Sequence, residues 1–304
     1  MPLIKITVPG RLYEVESGKK SPNTGKQYRD RLDQQIIPAI GELRMCEVTV
    51  CRVDRVVKNT AEKHGNAVAK MTRTVLSGVL ATTRSTTTRC GTVRTIEGSY
   101  KSARALELNQ AQDLRAKVAA DPVAVRRDLP DFTDMMLATG LRIGETAGIV
   151  WGAVDLDAGT VELRAIVIRV VGVGLVLKPK PKSKSGYRTL ELPSWAVEML
   201  RRRRPADAKP NDPIFTAPMG SLRDPSNTNA DLKETFTAAD YGWVTSHVYR
   251  KTVASMMDDA GLSARAAANQ LGHAKVSMTQ DNYFKRKVAK TGAAKVLEAV
   301  VTPE

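Results

Sequence analysis

Histidine and cysteine number three each in this chain of 304 residues, and aromatic side chains make up only 5% of it. Cys46, Cys51 and Cys90 form no Cys-x-x-Cys pair and cannot all be bridged. That excludes a disulfide scaffold and argues against a cysteine-built metal site; the three read as small buried residues of a reducing compartment. So few rings argue against a binder of single strands, which stacks bases on aromatic side chains. No apolar run approaches the roughly 18 residues of a membrane span, and no charged–apolar–cleavage pattern opens the chain. Neither a membrane segment nor a signal peptide is expected, and the expected location is the cytoplasm. Internal repeats and low-complexity tracts are missing too.

What is abundant is positive charge. Forty-seven Lys and Arg face 32 Asp and Glu, a net +15. The excess is uneven: residues 1–105 carry 19 basic and 9 acidic side chains, the remainder 28 and 23. A field of that sign suits a polyanion, because each neutralised phosphate releases condensed counterions. With aromatics scarce, double-stranded nucleic acid is the better partner. The 42% hydrophobic and 26% charged content is that of a globular protein, and the length exceeds one comfortable core, so two domains are expected.

Residues 1–20 have little periodicity and read as a flexible lead-in. From Thr24 the pattern is helical, with Tyr28, Leu32, Ile36 and Ile37 as the apolar positions and Pro38 and Gly41 as the stop. A second helix is expected from Thr49 to Lys63, with Val53, Val56 and Val57 inward, and a third over 66–83, with Val68, Met71, Val75, Val79 and Leu80 inward. These form a small all-α unit over 21–92. Between Lys70 and Arg104 lie seven basic residues and one acid, Glu97, among hydroxyl-rich stretches such as ATTRSTTTR. Arg73, Arg84, Arg89 and Arg94 are therefore candidate phosphate contacts. A linker over 93–107 leads to a second domain, 108–304. It opens with a helix over 108–120 and a second over 131–139 ended by Gly140. TVELRAIVIRVV, VGLVLK and TLELP then read as one small antiparallel sheet with a lysine-rich hairpin. From Trp195 the chain is helical again. The fold class is mainly α with a small antiparallel β-sheet.

Four stretches carry chemistry. TGLRIGE places Arg142 past a helix end with Glu145 three residues on; SKSGYR sets Lys184 at the hairpin tip, with Lys182 a rival; HVYR puts His247 and Arg250 on one helical face; LGHAKVSMTQDNYFKR holds His273 and Tyr283. Each alone has an ordinary explanation: a surface ion pair, a turn lysine, a solvated face, a core tyrosine. Together, two arginines, two histidines and a lysine would surround a phosphate with planar forks and point-charge donors. That environment suits a phosphodiester transition state, and its cations favour a phenolate over the usual phenol pKa of about 10.

In order and spacing these residues resemble the tyrosine recombinase, or phage-integrase, family, whose pattern is Arg…Lys…His-x-x-Arg…His…Tyr. The resemblance spans about residues 108–290, and QYRDRLDQQIIPAIGELRMCEVT looks like the family's helical core-binding domain. It implies that Tyr283 is the nucleophile, forming a 3′-phosphotyrosine link and freeing a 5′-hydroxyl. Arg142 and Arg250 would clamp the non-bridging oxygens, Lys184 would protonate the leaving oxygen, His273 would bind the phosphate, and His247 and Glu145 would support the cluster. No metal or nucleotide cofactor is implied.

The resemblance further implies a clamp on duplex DNA and a tetramer on two synapsed core-type sites. A Holliday-junction intermediate, exchange of a C-terminal helix bearing Ala294, Val296, Leu297, Val300 and Val301, and a directionality factor would accompany it. Only about 20 residues precede the first helix, too few for a further arm-binding domain, so a compact integrase of the actinobacteriophage kind, acting on DNA in a bacterial host, is the expectation. A chromosomal Xer-like resolvase, a type IB topoisomerase-like nicking–religating enzyme and a catalytically silent DNA-binding regulator remain the alternatives.

Overall fold

The computed structural model describes residues 22–44, 47–82, 104–170, 172–179 and 188–272. The lead-in, Cys46, Cys90, Arg84, Arg89, Arg94, residues 93–103 of the linker, Lys182, Lys184, His273, Tyr283 and the C-terminal helix lie outside the described residues. The chain divides into two compact units, Met1–Lys101 with Val170–Gly172, and Ser102–Arg169 with Val173–Glu304.

In the first unit, helix α1 (Pro22–Arg31) runs through a π-helical turn, Leu32–Ile36, into α2 (Ile37–Ile40). Pro38 does not stop the helix, because it sits in the first turn of α2, where its missing N–H matters least. Tyr28, Leu32, Ile36 and Ile40 face the core, whereas Ile37, expected inside, is 43% exposed. At 3.6 residues per turn a four-residue spacing drifts by about 40° each step; the wider π turn absorbs that drift and keeps every fourth residue inward.

Helix α3 (Val50–His64) is capped by the Thr49 hydroxyl, which accepts from Arg52 N, and buries Val53, Val56 and Val57. Cys51, expected to be buried, is exposed. It lies two residues, about 200° of helix, from Val53 and so on the opposite face. Helix α4 (Asn66–Thr82) packs on α3 and buries Ala69, Val75, Leu76, Val79 and Leu80 in the core of the unit. Val68 and Met71, expected inside, are only partly covered; the inward positions beside them are Ala69 and Thr72, whose hydroxyl is satisfied by Val68 O at 3.0 Å.

The second unit opens with α5 (Leu108–Ala120) and α6 (Pro122–Arg126), the latter capped by Asp121. Leu106 N donates to the Thr252 hydroxyl at 2.9 Å, fixing the approach to α5. Helix α7 (Leu129–Thr139) ends at Gly140, whose φ of 70° is the left-handed conformation that favours glycine. After α8 (Ile143–Ala147), the expected single sheet is two among the described residues. Strands β1 (Val154–Asp155), β2 (Thr160–Glu162) and β5 (Thr189–Glu191) form one, with β2 central and antiparallel to both; β3 (Ala165–Val170) and β4 (Gly174–Pro179) form the other. TLE therefore pairs with TVE rather than with the strand before it, in the register Val161↔Leu190 that buries both side chains.

Helices α9 (Ser194–Arg203), α10 (Pro225–Ala238), α11 (Ser246–Asp259) and α12 (Ala264–Leu271) follow in the described part of the unit. Phe132 and Phe215 meet edge to face with centroids 5.6 Å apart, while Arg223 stacks on the first and Arg203 on the second. Burying each ring contributes about 2 kcal/mol. Both arginines meet Asp128, and Arg202 and Arg203 meet Asp131, so much of the RRRR run at 201–204 is engaged in holding the fold.

Candidate active site

Three of the expected residues converge. Arg142, His247 and Arg250 line one open hollow of about 500 Å³, together with Gly144, Ser226, Asn229 and Ser246. Three short-range features of the sequence make it. Gly140 ends α7 and turns the chain so that Arg142 stands just before α8; Gly144 lets α8 lie against β3, since a Cβ there would meet Val167 O at 2.9 Å. The three-residue spacing of His247 and Arg250 places both on one face of α11. The first turns of α10 and α11 also border the hollow, through Ser226 and through Ser246 and His247, and bring the positive ends of two helices to it.

Arg142 is half-exposed and held by Glu145, whose carboxylate accepts from Arg142 N and from Arg142 Nη1, each at 3.0 Å. The pair is one short loop closed on itself, with the carboxylate buried and the guanidinium facing the hollow. Arg250 is 1% exposed. Its Nη1 donates to Gly140 O at 2.8 Å and its Nη2 to Leu271 O, so the ends of α7 and α12 hold its fork in place. Burial, and then the guanidiniums of Arg250 and Arg142, keep His247 below the ordinary imidazole range. At neutral pH it is an uncharged donor and acceptor beside two permanent cations.

Arg188, which the lysine-centred reading of SKSGYR passed over, belongs to the same network. Its side chain is 9% exposed, its Nε donates to Gln270 O at 2.9 Å, and its Nη2 lies 4.0 Å from Glu145 Oε2. Burial draws it below the usual arginine value and Glu145 opposes this; a guanidinium stays charged throughout. Its sequence signal was its place at the start of TLELP, where an inward arginine has no ordinary reason to sit. Three guanidiniums against one carboxylate leave the site net positive and able to take a phosphodiester in bidentate fashion.

Arg73, a candidate DNA contact, lies half-buried on α4 in the other unit. Tyr249, the tyrosine inside HVYR, stacks on Phe236 at 5.5 Å, and burial pushes its phenol far up. Burial and the bond to Asp113 likewise raise Tyr241. Neither is suited to act as a phenolate.

The chain as a whole has known relatives. The model of the phage integrase family matches residues 104–289. A tyrosine recombinase XerC-like protein of Caldanaerobacter subterraneus subsp. tengcongensis is 24% identical over 169 residues, 49% of this chain and 43% of that protein. The chain spans about half the length of the relatives it matches. Among solved structures, the Tn1549 transposon integrase in complex with transposon right end DNA superposes with a TM-score of 0.77 at 18% identity, over 96% of this chain and 99% of that one. A lambda integrase tetramer bound to a Holliday junction gives 0.61 at 13% identity, over 91% and 78%. These two likenesses concern the fold, a helical unit followed by a mainly helical one with small antiparallel sheets. With the match of the family model over more than half of its length, the chain belongs to the phage integrase family.

Proposed function

We propose that this chain is a site-specific DNA recombinase, an integrase that cuts and rejoins duplex DNA through a 3′-phosphotyrosine intermediate. The observation that carries the reading is the convergence of Arg142, His247 and Arg250 on one positively charged hollow. A scissile phosphate placed there would have its non-bridging oxygens met by the two guanidiniums, where charge gathers as phosphorus becomes five-coordinate. Arg250 enters that state already oriented, since two main-chain carbonyls hold it before DNA arrives. Neutral His247 donates a hydrogen bond without adding a charge.

Tyr283 is the nucleophile: its oxygen bonds to phosphorus as the bond to the 5′-oxygen breaks, the phenolic proton passes to solvent, and the 5′-oxygen takes a proton from Lys184 or Lys182. His273 adds a donor to the phosphate. The energy of the phosphodiester stays in the phosphotyrosine link and is recovered when the 5′-hydroxyl of a partner strand attacks. Residues 21–92 act as the core-binding domain, with Arg73, Arg84, Arg89 and Arg94 on phosphates, and residues 108–304 as the catalytic domain. Four protomers act on two sites, exchanging C-terminal helices, and a directionality factor biases integration against excision.

The test is a nicked duplex whose short cleaved strand diffuses away and traps the enzyme. Wild type should accumulate covalent adduct, Tyr283→Phe should bind the same DNA without adduct, and paired sites should yield Holliday junctions. A chain that binds and never links is a DNA-binding regulator; one that links but forms no junction with a second duplex is a nicking–religating enzyme.

A further inference from the structure

Arg188 lies beside this machinery without a part in the phosphate chemistry. Its backbone is fixed at the start of β5, where its carbonyl accepts from Leu163 N at 2.9 Å. Its side chain reaches two places at once: Gln270 O in the last turn of α12 at 2.9 Å, and Glu145 Oε2 at 4.0 Å. Gln270 turns back in its own right, Nε2 donating to Thr139 O at 3.1 Å, and Glu145 holds Arg142 by two bonds. A cation at a helix C-terminus also meets unsatisfied carbonyls and the negative end of the dipole. A buried carboxylate served by Arg142 alone would draw that guanidinium onto itself and away from the hollow. A second guanidinium beside Oε2 competes for the same charge.

We propose that Arg188 is a positioning residue for DNA cleavage: acting through Glu145, it sets the Arg142 guanidinium on the scissile phosphate, while its bond to Gln270 O keeps the end of α12 in the same frame. The proposal rests on the recombinase reading. Arg188 touches no reacting atom; its effect is on the direction of Arg142.

The experiment is single-turnover cleavage by the full chain on a nicked duplex of the sequence it protects in the DNA flanking its own gene. Three versions of the scissile linkage are compared: ordinary phosphate, a neutral methylphosphonate that needs less cationic stabilisation, and a bridging 5′-sulfur whose thiolate leaves without a proton. Arg188→Gln should lose about a hundredfold in rate on ordinary phosphate, the loss expected of a misplaced catalytic group. The shortfall should persist with the bridging sulfur and shrink to within about threefold of wild type on the methylphosphonate, the pattern Arg142→Lys should also give. If Arg188→Gln does not fold, Arg188→Lys is read in the same way, since it keeps the charge but lacks the fork that spans both partners.

Equal losses on all three substrates mark a merely structural role and overturn the proposal. Rescue by sulfur alone places the effect on the lysine segment and also overturns it, as does an undiminished rate. If wild type cleaves none of the three, the recombinase reading falls and Arg188's role falls with it. If wild type cleaves and only Arg142→Lys shows the expected pattern, Arg188 alone is rejected.

Discussion

Arg250 Nη1 donates to the carbonyl oxygen of Gly140 at 2.8 Å across 110 residues of sequence. One partner is a fully buried guanidinium, the other a glycine whose left-handed turn ends α7 two residues before Arg142. The same bond thus fixes one arginine of the hollow and the segment that delivers the other. A guanidinium taken out of water at this depth is costly unless its donors are met. The carbonyls of Gly140 and Leu271 meet that need without consuming a carboxylate, so the positive charge is retained for an anion.

Gly140→Ala should damage catalysis more than folding. The left-handed conformation costs a non-glycine residue about 1–2 kcal/mol, and a Cβ would stand 2.7 Å from Leu271 Cδ2, at the helix end that holds Arg250. A melting temperature a few degrees lower, with adduct formation slowed much further, is the expected pair of results. Losses that merely track stability would separate Gly140 from the site.

His247 sets a pH dependence. Its folded value is depressed, so as pH falls through the unfolded imidazole value of about 6.5 the unfolded chain binds the proton first, and stability drops. Above that range both forms are neutral and nothing is lost. Within that acidic range a phosphate in the hollow stabilises the imidazolium, so there DNA binding takes up a proton and tightens as pH falls. His247→Gln should flatten both dependences in thermal melts and titrations over about pH 5–8; unchanged slopes would assign the effect to other groups.

Thr252→Val should destabilise without touching chemistry directly. Its hydroxyl accepts from Leu106 N and donates to Val248 O, both at 2.9 Å. The valine leaves Leu106 N–H buried without an acceptor, a loss of about 1–3 kcal/mol, read as a lower denaturation midpoint. Thr252→Ser, which keeps the oxygen, should recover most of it.

Asp128→Ala should be worse, at about 3 kcal/mol, because it leaves buried Arg223 without its carboxylate and half-buried Arg203 with Asp131 alone. Exposed Arg201→Ala is the contrast: its ion pair with Asp157 at 3.8 Å is of the solvent-facing kind that contributes about 0–1 kcal/mol.

Much of this was legible in the sequence, and the reasons for the rest are physical. The helices at 50–64 and 108–120 could be read because their apolar spacing and caps are local. The inward side of the first helical stretch was misjudged at Ile37, the first residue of α2, because the π turn before it changes the period, which no composition reveals. Strand pairing failed for TLE, since register is settled by which partner buries Val161 and Leu190 rather than by order along the chain. Arg142, His247 and Arg250, which their motifs single out, line one hollow because each motif is local to a helix end or a helix face. Arg188 was missed because its significance lies in contacts with Glu145 and Gln270, 43 and 82 residues away. Cys51 was judged by residue type, when its helical phase places it outside.

The most direct measurement of the central claim is to digest the trapped protein–DNA adduct and locate by mass spectrometry the residue carrying the nucleotide. The expected result is a single peptide modified at Tyr283, lost in Tyr283→Phe, and strongly reduced in Arg142→Ala and Arg250→Ala while DNA is still bound. A nucleotide on any other side chain, or an adduct indifferent to the two arginines, would contradict it.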